Sequence, residues 1–220
     1  MASTPPLTVR WLKNPSEAEI TRIIDVLETA FDNNDPFTDF LTGGNRSLVR
    51  PQFAANARAA ALGGEIEVAT LGLQPSDIVG VGIWFGPGQA PMSTQEQREA
   101  GWDAFITNLS ADLNKWWLEY LLPTLGRLAD ESLGPGFKLK QWHLHLFGVV
   151  PEHHGKGVGK ALMAFAEERT KADGVSIVLE TTTDVDIIIY KRLGFEIKGQ
   201  VTVTSPKFGD CQVYQMMKTL

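Results

Sequence analysis

Cysteine is all but missing: Cys211 is the only one in 220 residues. Neither an intramolecular disulfide nor a cysteine metal cluster can form, which suits a reducing compartment. Long apolar runs are missing as well. The stretch from Met1 to Leu12 is polar and proline-containing, and no later stretch approaches the length of a membrane span, so a cytoplasmic protein with no membrane partner is expected. Positive charge is scarce, with 20 Lys and Arg against 26 Asp and Glu and a net charge of −6. That balance disfavours nucleic acid and mildly favours cationic substrates such as amines. Repeats and low-complexity segments are also absent. What remains is ordinary globular composition, 43% apolar and 21% charged, and a length that fits one α/β domain over residues 1–220.

Hydropathy patterning supplies the elements. Leu7 to Leu12 reads as a strand, Asn14-Pro15-Ser16 as a helix start, and Ile20, Ile23, Ile24, Leu27 and Phe31 as the buried face of the first helix. A second helix is predicted from Arg50 to Leu62, stopped by Gly63-Gly64, then a hairpin of Glu65 to Leu71 and Ile78 to Phe85. Residues of about 86–139 form a helical insert, in which Trp102, Phe105, Ile106, Leu109, Leu113, Trp116, Trp117, Tyr120 and Leu121 recur at helical spacing until Pro123 interrupts. Leu139 to Val150 is a strand, Gly157 to about Ala172 a helix, and Val175 to Glu180 a buried strand. Asp184 is expected to cap a short helix ending at Gly194, before a last strand pair, Phe195 to Val203 and Gln212 to Met217.

The turn His154-Gly155-Lys156-Gly157-Val158-Gly159-Lys160 joins the Leu139–Val150 strand to an amphipathic helix. Its glycines let the backbone approach a ligand, and the helix N-terminus, with Lys156 and Lys160, favours an anion such as phosphate. A nucleotide P-loop does not fit: counting back from Gly159-Lys160 reaches His154 rather than Gly, and Ala161 follows where Ser or Thr is needed. A dinucleotide fingerprint has other glycine spacing, although Glu180 lies a suitable distance downstream, so a dinucleotide-dependent oxidoreductase stays as an alternative. The residues resemble a third design, the acyl-CoA pyrophosphate loop of GNAT acyltransferases: Gln or Arg, two residues, Gly, one residue, then Gly or Ala. Gly157 and Gly159 match, and His154 stands where that family has Gln or Arg. The resemblance extends to Ile188-Ile189-Tyr190-Lys191-Arg192-Leu193-Gly194-Phe195, similar to the family's tyrosine on a short helix ending in Gly-Phe, with Thr183 where members often have Asn.

The resemblance implies an α/β (α+β) fold, a mixed and mostly antiparallel central sheet flanked by helices, with the helical insert before the acyl-CoA-binding strand. It implies acetyl-CoA as co-substrate along Phe147, Gly148, Val149 and Val150, over His154, Gly155, Lys156, Gly157, Val158, Gly159 and Lys160, and beside Thr183. Acetyl transfer to a small-molecule or peptide amine is the implied activity, with Tyr190 protonating the departing thiolate. His143 and His145 alternate along the strand, face one side of the sheet and are candidate bases or structural hydrogen-bonders. With His153 and His154 they lack a recognised ligand spacing, so no metal is expected. Trp116 and Trp117 either pack on the sheet or roof an acceptor pocket, to which Asp35 adds a carboxylate unless it merely stops a helix. A non-catalytic acyl-CoA-binding module is the competing class, and either a monomer or a homodimer is expected.

Overall fold

The computed structural model describes residues 5–31 and 35–220. Met1–Thr4, the head of the polar N-terminal stretch, lie outside the described residues. One mixed sheet of seven strands organises them, in the order β1-β2-β3-β4-β5-β7-β6. The strands are β1 (Thr8–Leu12), β2 (Glu65–Thr70), β3 (Ile78–Phe85), β4 (Trp142–Val149), β5 (Ile177–Thr181), β6 (Glu196–Ser205) and β7 (Gly209–Lys218). Only the β4–β5 pair is parallel, because the chain crosses from one to the other through a helix instead of a hairpin.

Helix α1 (Glu17–Phe31) starts where Ser16 and Glu19 cap one another: the Glu19 amide donates to Ser16 Oγ and the Ser16 amide to Glu19 Oε2. Helix α2 (Pro36–Thr42) escapes the apolar periodicity because it is one short turn-pair. Asp35 is its N-cap, accepting from the amides of Phe37 and Thr38, so this residue starts a helix rather than stopping one. Helix α3 (Val49–Gly63) packs with α1 on one face of the sheet. Helix α8 (Val158–Asp173) covers the opposite face and ends at Gly174, whose φ of 66° is the left-handed stop.

Between β3 and β4 the insert is helical as its periodicity predicts, but broken into α4 (Gln95–Gln97), α5 (Asp103–Thr107), α6 (Ala111–Lys115) and α7 (Leu122–Leu133). Wide π-turns, Arg98–Trp102 and Trp116–Leu121, join α4 to α5 and α6 to α7. Pro123 does not interrupt. The π-turn closes with the Leu122 amide on Trp117 O, and Pro123 follows in the first turn of α7, where a missing N–H costs least. The insert buries Phe105, Trp116, Trp117 and Leu121 with Val203 of β6 and Val213 of β7, forming a second core beside the α1–α3 one. Helix α9 (Asp184–Arg192) is capped by Thr183, one residue before the expected Asp184: the Thr183 hydroxyl accepts from the Asp186 amide at 3.1 Å and donates to its carboxylate at 2.5 Å. No helix among the described residues is long and apolar enough to cross a membrane.

Candidate active site

One extra residue sets the two faces of β4. Ile83 pairs with Leu146 and Trp84 with Leu144, leaving His145 unopposed in a β-bulge. Residues opposite one another share a face, so His143, Leu146 and Gly148 look toward α1 and α3, while Leu144, Phe147 and Val149 look toward α8. The contacts agree: a Cβ on Gly148 would lie 2.9 Å from Ala30 Cβ of α1, and one on Gly159 of α8 would lie 3.5 Å from the Phe147 ring. Strict alternation would have left Phe147 beside the histidines; the bulge turns it away. Both histidines do share a side, their rings 5.3 Å apart, with Phe85 edge-on to His145.

These imidazoles are held differently. His143, 6% exposed, places Nε2 3.0 Å from Glu180 Oε2, and Glu180 also takes Lys138 Nζ at 2.8 Å. Burial opposes ionisation of Glu180, but the Lys138 ammonium and the His143 contact outweigh it and hold the carboxyl well below its usual range. Burial, then the Lys138 charge, lowers His143 against the pull of Glu180. His145 places Nε2 2.7 Å from Asn56 Oδ1, whose own amide nitrogen donates to Gln52 O. Burial, with His143 and Lys138 nearby, brings His145 down to about 3. At neutral pH it is an uncharged imidazole; Asn56 Oδ1 accepts the Nε2 proton, which leaves Nδ1 as the basic nitrogen.

His145 opens onto a cavity of about 460 Å³ between the sheet, α1–α3, the insert and the start of α9. Its wall is mostly apolar, with Phe31, Phe37, Phe53, Trp102 and Leu121 among the lining residues. Trp117 lines it and donates Nε1–H to Leu41 O, whereas Trp116 donates to Thr204 O and packs against β6. The helical pattern could not separate these neighbours. Asp35, Glu180, Asp186 and Tyr190 also reach the cavity. Burial, and beyond the hydrogen bonds that oppose it the Asp186 charge, raises Asp35. Half-buried Tyr190 packs edge-on against Phe195 at 5.5 Å, and burial together with Asp186 pushes its phenol upward, so it keeps its proton at neutral pH. Gln52 and Asn56 carried no sequence signal, because they reach the cavity from α3, far from His145 in the chain; Trp102 belongs to the insert's periodic face, and Asp186 lies one turn before Tyr190 on α9.

The strand and turn expected to hold acyl-CoA lie side by side. Among the described residues β4 pairs with β5 only at Trp142↔Ile177 and His143↔Val178, while its pairing with β3 runs on to Val149. From Leu144 onward, therefore, one edge of β4 has no β5 partner. The Val150 amide is taken by Val79 O, and His154 Nε2 lies 2.7 Å from Val149 O, tying the turn back to the strand end. Thr183 is occupied in capping α9. Gly155 and Gly157 have φ of 71° and 83°, and an added Cβ at either would meet nothing within 4 Å. Glycine is required there for the backbone, and the space beside the turn is open. Ala161 N–H reaches Gly157 O, so the preceding amides of Val158, Gly159 and Lys160 have no acceptor within their own helix. Free amides so placed at a helix N-terminus can hold a phosphate-bearing group.

Residues 126–197 match the family model of the acetyltransferase (GNAT) domain. An L-methionine sulfoximine/L-methionine sulfone acetyltransferase of Pseudomonas paraeruginosa is 35% identical over 68 residues, which are 30% of this chain and 40% of that protein. The chain thus spans well under half the length of the curated relatives it matches. Among solved structures, the mosquito protein arylalkylamine N-acetyltransferase like 5b superposes with a TM-score of 0.67 at 18% identity, covering 98% of this chain and 100% of that one. An acetyltransferase from Corynebacterium glutamicum does so with a TM-score of 0.60 at 22% identity, over 99% and 97%. Likeness at such identities shows a shared fold: the mixed, mostly antiparallel sheet flanked by helices.

Proposed function

From the match of residues 126–197 to the GNAT domain we propose that the chain is a GNAT N-acetyltransferase, which passes an acetyl group from acetyl-CoA directly to the amine of a small molecule or peptide. The observation that carries this reading is the convergence of three features: the phosphate cradle of Gly155–Lys160, the unpaired edge of β4, and a cavity bounded by a neutral imidazole and a protonated phenol. Bound acetyl-CoA supplies a thioester whose acyl carbon is open to attack and whose sulfur can leave. The cradle amides, with Lys156 and Lys160, hold its phosphates, and the open edge of β4 offers main-chain groups to its amide-bearing arm.

The chain's own groups then move the protons. An amine attacks only when neutral, and it becomes strongly acidic as the N–C bond forms. His145, a weak base kept uncharged by burial, takes the proton at that moment. Tyr190 gives its phenolic proton to the sulfur as the C–S bond breaks. His143 and Glu180 stand behind His145, with Glu180 anchored by Lys138. Release of free CoA thiol from acetyl-CoA in the presence of an amine panel tests the proposal, together with thermal shifts against acetyl-CoA and NAD. Amine-dependent thiol release and a shift with acetyl-CoA alone are expected. Binding without turnover would favour an acyl-CoA sensor, and a shift with NAD alone a dinucleotide enzyme.

A further inference from the structure

Charges of both signs line the cavity, and they arrive on different elements. Its acids are Asp35 ahead of α2, Glu180 of β5 and Asp186 of α9. Glu180 has its counter-ion in Lys138, 2.8 Å away, whereas Asp35 and Asp186 form no ion pair among the described residues. Arg98 is the one Lys or Arg on the wall among those residues. It is half-buried, makes no ion pair there, and donates from Nη1 to Met92 O at 3.2 Å. A guanidinium carries five N–H donors in a planar fork, so most of this one is left for a ligand. The phosphate-holding turn is not its partner, since no residue from His154 to Lys160 lines the cavity. Arg98 stands beside the base instead. It opens the π-turn Arg98–Trp102, whose Gly101 approaches α3 so closely that an added Cβ would lie 3.2 Å from Ala55 Cα, and the next residue of α3, Asn56, holds His145.

We propose that Arg98 is the specificity-determining contact of the acceptor pocket and that the acceptor is an α-amino acid with an apolar side chain: Arg98 takes the carboxylate while the amino group lies at His145. This assignment rests on the acetyltransferase reading. An amine without an anion would be repelled by Arg98 and would leave a half-buried guanidinium facing a mostly apolar wall with no counter-ion, which is costly. The carboxylate removes that cost, and Asp35 and Asp186 attract the ammonium of the same zwitterion. Amine and carboxylate sit on one carbon because the elements that carry Arg98 and hold His145 meet at adjacent residues of α3, Ala55 and Asn56. The anion is a carboxylate and not a phosphate ester: the guanidinium fork matches a planar carboxylate, and a dianion would be repelled by the two unpaired acids. Phe31, Phe53 and Trp102 leave an apolar surface for the side chain.

The experiment compares phenylalanine and leucine with the amines that lack only their carboxylate, phenethylamine and isoamylamine, in wild type, Arg98→Gln and Arg98→Lys. Binding is measured by calorimetry with and without free CoA, and acetylation by thiol release from acetyl-CoA. In wild type the better amino acid should exceed its decarboxylated partner by about 10- to 100-fold in both affinity and kcat/KM. Arg98→Gln keeps a side-chain N–H for Met92 O but removes the charge, so the preference should vanish while acetyl-CoA affinity stays at the wild-type level. Arg98→Lys keeps the charge without the fork and should retain part of the preference. The wild-type comparison needs no variant: decarboxylated amines bound as well as the amino acids, or no binding by either amino acid, overturns the assignment. A preference that survives unchanged in Arg98→Gln overturns it as well. Preferential binding of the amino acid that depends on Arg98, with no thiol release under any condition, would instead overturn the acetyltransferase reading and leave the carboxylate subsite standing.

Discussion

Replacing Tyr190 by Phe keeps the edge contact with Phe195 and removes only the hydroxyl. If that hydroxyl protonates the sulfur, kcat falls by on the order of 10²- to 10⁴-fold while acetyl-CoA affinity stays at the wild-type level. Because burial and Asp186 raise the phenol, any loss of wild-type kcat through its ionisation should begin above the ordinary tyrosine range, about pH 10, and should be missing in Tyr190→Phe. A pH–rate series on both proteins checks this. The two tryptophans make a contrasting pair. Trp117→Phe changes the cavity wall and should raise the acceptor KM more than the acetyl-CoA KM, whereas Trp116→Phe, on the β6 side, should leave both unchanged and lower only the melting temperature. Steady-state kinetics with either substrate varied distinguishes them. At this scale the chemistry-bearing types were legible: a tyrosine on a short helix and two histidines on a strand are residues the fold brings to, or directly behind, one cavity wall. Gln52 and Asn56 were not, since an amide inside a helix looks the same in sequence whether it faces solvent or a pocket.

On the proposed reading cofactor binding depends on the turn into α8, where Gly157 and Gly159 serve different purposes. Gly157 is left-handed, so Gly157→Ala should destabilise the loop by about 1–2 kcal/mol although nothing obstructs the added methyl. Gly159 has an ordinary φ, and its Cβ would rest 3.5 Å from Phe147, so Gly159→Ala should be tolerated. Gly159→Asp should instead weaken acetyl-CoA binding by at least about tenfold, through like charge beside the phosphates. Calorimetry on the folded variants gives both answers. Element existence was readable wherever periodicity ran long: α1, α3, α8 and the hairpin of β2 and β3 lie within two residues of where the pattern puts them. Misreadings arose where a local device overrode the pattern. The π-turn at Trp116–Leu121 absorbed Pro123, and Asp35 capped a helix too short to show a period.

Across the whole molecule, α8 and the sheet enclose a buried acid remote from the site. Glu67 is fully covered, accepts from Trp84 Nε1 at 3.0 Å through one oxygen, and is pushed by burial from 4.5 up to about 8. Between those values the folded chain holds a proton that the unfolded chain has released, so folding stability falls as pH rises through that window, at no more than about 1.4 kcal/mol per unit. Denaturant melts from pH 5 to 8 should show this slope in wild type and its loss in Glu67→Gln. Three clusters of buried side chains, one under α1 and α3, one under the insert and one under α8, pack on the sheet that carries the β4–β5 opening. On this account that opening is where direct transfer occurs. The most direct test is a single-turnover reaction in which the chain, saturated with acetyl-CoA, is mixed rapidly with an amine it accepts and quenched for mass analysis. Direct attack predicts N-acetylated amine and free CoA appearing together at one rate, with the protein's own mass unchanged throughout. An acetylated protein that forms before the amide and decays into it, or thiol release without any amide, would contradict it.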